Sequence, residues 1–142
     1  MMRALTTVPT LILGVLSVPI GLVGLSGAAY GFTGLVNARA VLLVGLALIG
    51  AALAHVIVGV ALWRHRRRAL PAGLFVCVVG LIYAAYLGQR ALTPMGTVRD
   101  ETGIMQPVYG TTWLAVALVA IPYVIALVCL LIARIRTPKP ST

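Results

Sequence analysis

His55, Cys77 and Cys129 are the residues of this chain whose types suit soft-metal chemistry, and each falls inside a long apolar run. With about 1.5 Å of rise per residue, each lies on the order of 10 Å inside the same membrane boundary. Three soft ligands at one depth can meet in a helix bundle. The same residues also serve plain packing, because cysteine behaves as a small hydrophobe and a histidine in a span finds an interhelical hydrogen bond. The expectation is no metal and no cofactor, with His55, Cys77 and Cys129 as the candidate ligands should a metal be held.

A second constellation is Tyr83, Tyr86 and Arg90, spaced i, i+3, i+7 with Gln89 beside them. On a helix they share one face near the outer mouth, where Tyr30 also emerges. A cation over phenols suits an anion or a lipid headgroup, and an interfacial aromatic belt with a snorkelling arginine uses the same residues. The third is the basic knot Trp63-Arg64-His65-Arg66-Arg67-Arg68 between two apolar runs. Hydrocarbon cannot hold such a cluster, so the chain surfaces there, and Arg64, Arg66, Arg67 and Arg68 can contact anionic lipid.

Several chemistries are missing. No Asp or Glu lies in an apolar run, which removes the usual proton or cation carrier of a secondary transporter. There is no Cys-x-x-Cys pair, P-loop or His-Glu-x-x-His, and His65 belongs to the basic loop, leaving no second histidine in a span for a bis-histidine haem. No catalytic pair remains, so the chain reads as a non-enzyme.

The elements that must position these residues follow from composition. With 61% hydrophobic and 9% charged residues among 142, the chain departs far from a soluble domain and has room for one compact bundle. Four runs are long enough to cross a hydrocarbon core of about 30 Å, over 7–29, 38–63, 70–92 and 112–133. The reading is an all-α integral membrane four-helix bundle forming a single domain over 1–142. Arg3, Arg64–Arg68, Arg134, Arg136 and Lys139 fall on one side of these spans. Arg39, Arg90, Arg99, Asp100 and Glu101 fall on the other. That asymmetry places both termini and the middle loop in the cytoplasm. The net charge of +9 is thereby an orientation signal, and no nucleic-acid partner is expected. Arginine supplies all the basic residues except Lys139, which with the abundant Ala, Val, Gly and Leu suggests a bacterial plasma membrane.

Arg3, the following apolar run and Ser26-Gly27-Ala28 resemble a cleavable signal peptide, but Val8–Leu25 exceeds the usual apolar core of one, and an uncleaved span is expected. Small residues form helical stripes: Gly14, Ser17, Gly21, Gly24, Ala28 and Gly31 in the first span, and Ala47, Ala51, His55 and Gly59 in the second. The third carries Gly73, Cys77, Gly80, Ala84 and Gly88. Such stripes let backbones approach and specify packing. Val23-Gly24-Leu25-x-x-Ala28-Ala29-Tyr30 recurs as Val79-Gly80-Leu81-x-x-Ala84-Ala85-Tyr86, as two similar helical hairpins would require. Pro19 and Pro122 interrupt spans near mid-depth. The 93–111 connection, rich in Gly, Pro and Thr, is expected to form turns rather than regular structure.

These features point to a non-enzymatic accessory or packing subunit of a membrane assembly, with lipids, a second membrane protein or another copy of the chain as partners. The alternative is a small transporter or channel component for an apolar or weakly polar solute, for which the prolines and the repeat argue. A polar cavity lined by His55, or by Tyr83 and Arg90, would favour transport, and a dry core with an outward apolar stripe of small residues would favour assembly.

Overall fold

The computed structural model describes residues 2–32, 38–64, 69–99 and 101–136. Its helices are α1 (Met2–Gly31), α2 (Ala38–Trp63), α3 (Ala69–Leu92) and α4 (Trp113–Arg136), each long and apolar enough to cross a membrane. The protein is an all-α four-helix bundle and a small multi-pass membrane protein. Helix is the form these runs must take in lipid, because it closes every backbone hydrogen bond within the segment. Thr112 caps α4, its Oγ1 accepting from the Ala115 amide at 3.3 Å, and supplies one of the partners that a first turn lacks. Pro9 and Pro19 lie inside α1 and Pro122 inside α4, and the helices continue through all three.

Consecutive helices run antiparallel. Gly31 faces Leu42, Gly24 faces Gly45 and Ile49, and Gly21 faces Ala52. On the other hairpin Gly88 faces Val116, Gly80 faces Tyr123 and Gly73 faces Leu130. α1 also packs on α4, and α2 on α3, which closes a ring with α2 and α4 across one diagonal. The core is Leu13, Leu62, Ala69, Cys77, Tyr123, Ala126 and Leu130.

The stripe read on α2 is rotated relative to the real contact. Ala47 is exposed and Ala51 only half-buried, whereas the buried line runs Gly45, Ala52, His55, Gly59 and Leu62. Repeated steps of four residues advance 400° each and drift around the helix. Steps alternating between three and four stay on one side of it. Gly14 likewise leaves the stripe of α1: it is exposed, and a Cβ there would meet nothing.

The long connection is also corrected. It contains a β-hairpin, β1 (Pro94–Arg99) against β2 (Met105–Tyr109), with Thr97 opposite Pro107 and a register shift between Pro94 and Gly96. Thr97, Val98, Val108 and Tyr109 favour strands. Proline is tolerated because each strand of a two-stranded sheet is an edge. Gly103, at φ 85°, supplies the left-handed residue of the tip, and its carbonyl accepts from Arg99 Nε at 3.1 Å.

Candidate functional site

The polar centre of the bundle is built by α2 and α4 across its diagonal. His55 is on the buried line of α2, eight residues before the helix ends at Trp63, or about 12 Å along the axis. Tyr123 stands on the buried line Tyr123, Ala126, Leu130 and Ala133 of α4, directly after Pro122. Room for its ring comes from Gly80: a Cβ there would collide with the ring carbons of Tyr123. The Tyr123 hydroxyl lies 2.7 Å from His55 Nε2, and the rings meet edge to face with centroids 5.9 Å apart.

The second ring nitrogen decides the direction of that bond. His55 Nδ1 lies 2.7 Å from the Ala51 carbonyl, one turn earlier. A carbonyl only accepts, so Nδ1 carries the proton, Nε2 of the neutral ring is an acceptor, and Tyr123 O–H donates to it. Each polar atom of the pair is thereby satisfied, and among the described residues no buried side-chain nitrogen or oxygen lacks a partner. His55 is only 6% exposed. Both ring nitrogens and the phenol are thus engaged inside the bundle.

Cys77 is fully buried in the cluster that contains Tyr123, while Cys129 is half-buried on α4. Among the described residues no group of three or more His, Cys, Asp or Glu side chains is assembled that could hold a metal ion. His55, Cys77 and Cys129 share a depth without forming a ligand set, and the residue that meets His55 is Tyr123. The signal for it was present: it is the tyrosine at mid-span, and a phenol in hydrocarbon requires a hydrogen-bond partner.

Tyr83, Tyr86 and Arg90 do come together, at the end of the bundle that carries the β-hairpin. Arg90 Nε donates to Tyr86 Oη at 3.0 Å, its guanidinium carbon lies 5.4 Å from the Tyr86 ring centroid, and the Tyr83 and Tyr86 rings stack at 6.4 Å. All three side chains are exposed. At the opposite end Arg64 is exposed and borders a shallow outward groove of about 300 Å³ with Val56, Ile57, Val60 and Ala61. His65, Arg66, Arg67 and Arg68 lie outside the described residues.

Of the packing residues in the α1 stripe, Gly31 makes the closest approach, a Cβ there colliding with Leu42, and at Gly24 a Cβ would stand 2.9 Å from the Gly45 carbonyl oxygen. Gly21 has ordinary contact with Ala52 at 3.5 Å. Ser17 is buried and donates to the Gly14 carbonyl at 2.7 Å, and Ala28 and Ala84 are buried. Gly59 is also buried and lies beside Thr10, whose hydroxyl reaches the carbonyls of Thr6 at 2.8 Å and Gly59 at 3.3 Å.

The repeated motif occupies equivalent places: Leu13, Ser17, Gly24 and Ala28 are buried on α1, as are Ala69, Gly73, Gly80 and Ala84, each 56 residues later, on α3. What meets the repeated glycine differs. Gly24 admits the backbone of α2, whereas Gly80 admits an aromatic ring. Compared with known proteins, the chain matches no family model, no curated protein and no solved structure.

Proposed function

We propose that this protein is a non-enzymatic accessory or packing subunit of a membrane assembly, resident in a bacterial plasma membrane with both termini in the cytoplasm. The observation that supports it is the internal use of the core's polar groups: His55 and Tyr123 satisfy each other and present nothing to a solute. A transport path for a polar solute needs polar groups that can exchange partners with its cargo. The outside offers a shape instead. Between α1 and α2 a groove of about 390 Å³ opens outward over Gly27 and Gly45, walled by Val23, Ala40, Val44 and Leu48. Its one hydroxyl, on Ser26, is turned to the Val23 carbonyl at 2.9 Å. Such a surface suits the ridge of another transmembrane helix, whose association in lipid relies on close packing.

The test is purification of the intact protein in mild detergent with identification of co-purifying membrane proteins. It is repeated with Val44→Trp, which fills the groove from an exposed position. A stoichiometric partner retained by wild type and lost by Val44→Trp, at unchanged thermal stability, supports the reading. A protein that purifies alone from its native membrane contradicts it. The alternative, a transporter or channel component for an apolar or weakly polar solute, is favoured by Pro122 adjoining Tyr123, since a break in α4 there could move the phenol. Solute flux in proteoliposomes that is abolished by Tyr123→Phe would favour it over assembly.

A further inference from the structure

From the Tyr83–Tyr86–Arg90 cluster we infer a binding site for the headgroup phosphate of an anionic phospholipid, at the end of the bundle that carries the β-hairpin. The direction of the arginine is the first argument. Arg90 is two residues from the end of α3, so a snorkelling side chain would extend past Leu92 toward water. Instead its Nε is bonded to Tyr86, one turn back along the helix, and its guanidinium lies over that ring. Tyr86 Cα lies about 6 Å closer to mid-membrane along the axis, and the bond draws the guanidinium toward that residue. A cation kept at that level calls for an anion that can reach it, and a lipid phosphate lies at the boundary between headgroups and acyl chains.

Donor geometry is the second argument. With Nε engaged, the two terminal nitrogens of Arg90 remain to donate, and among the described residues no protein acceptor meets them. Tyr86 Oη accepts from Arg90 and still carries its own hydrogen, and the stacked Tyr83 hydroxyl adds another donor. No described carboxylate competes here: Glu101 follows β1, at the far end of the hairpin. A donor set around a planar fork matches phosphate oxygens, and the exposed phenol rings suit the upper acyl chain.

The hairpin supplies the third. Met95 packs on Gly110, and a Cβ added at Gly110 would lie 3.8 Å from Arg90 Cβ. The base of the hairpin thus stands beside the stem of Arg90 and limits its swing toward water. This inference is independent of whether the protein serves an assembly or a transport path, and of which side the hairpin faces.

The experiment uses the full chain carrying Arg66→Gln and Arg67→Gln, which reduces the basic cluster at the opposite end. Phosphatidylglycerol, phosphatidylcholine and inorganic phosphate are titrated separately, with bound lipid read by native mass spectrometry and protection by thermal unfolding. Phosphatidylglycerol should bind, with Arg90→Gln weakening it roughly tenfold, as expected for loss of one charge-assisted contact. Tyr86→Phe, which keeps the charge and releases its direction, should weaken it several-fold. Both positions are exposed, and unchanged helicity by circular dichroism serves as the folding control. Equal phosphatidylglycerol affinity with and without Arg90→Gln in this background overturns the site. Protection by inorganic phosphate equal to that by phosphatidylglycerol overturns the lipid as its occupant, as does equal binding of phosphatidylcholine.

Discussion

Tyr123 and His55 show how one hydrogen bond acts in a core that offers no other partner. Removing the phenol oxygen leaves Nε2 buried and unpaired, which in a soluble core costs about 1–3 kcal/mol. Interhelical bonds in membranes average about 0.6 kcal/mol, because separated helices find other partners. The smaller figure governs here, and Tyr123→Phe should lower stability by about 0.6 kcal/mol. His55→Leu should cost a similar amount by leaving the phenol unpaired. The double variant should cost less than the two single changes together, since it removes both ends of the bond. Unfolding of all four proteins in one detergent measures the coupling, and strict additivity would rule out a direct bond.

At the scale of the helix pair, equivalent glycines solve different problems. Gly24 brings two backbones together, and Gly80 forms a socket for a ring. A methyl group at either must displace something rigid, and overpacking of this kind costs about 1–3 kcal/mol. Gly24→Ala and Gly80→Ala should therefore both lower thermal stability in detergent. Gly14→Ala, which meets nothing, should be neutral or slightly stabilising because alanine is the better helix former. Gly21→Ala should be tolerated, since its neighbour is already at normal contact distance. Equal sensitivity of Gly14 and Gly80 would mean that the helices are rotated from the positions described.

Over the whole molecule, the antiparallel order places the start of α1, the end of α4 and the α2–α3 connection at one end, and the β-hairpin at the other. Most basic residues of the sequence belong to the segments that lead to or leave this end, and under the orientation proposed above it lies in the cytoplasm. Reporter fusions at residues 66 and 100 should give cytoplasmic and external signals respectively. The reverse pattern would invert the protein in its membrane without altering its fold.

The four spans and their order were legible in the residues alone, because desolvation of a charge or a backbone amide depends on local sequence and segment length. His55 stood out for the same reason, as an imidazole in hydrocarbon. Tyr123 carried the same kind of signal, but its pairing with His55 was hidden, since spacing within one helix says nothing about what faces it across a bundle. Helix rotation was beyond reach for a similar reason: Ala47 and Ala51 are as small as Gly45 and Ala52, and only the fit against α1 selects the second set. The strands of the 93–111 connection were hidden by prolines and glycines that serve turns and edge strands alike. Tertiary structure decided what required two elements at once: the diagonal that joins His55 to Tyr123, the glycine beneath the ring, and the hairpin base beside Arg90.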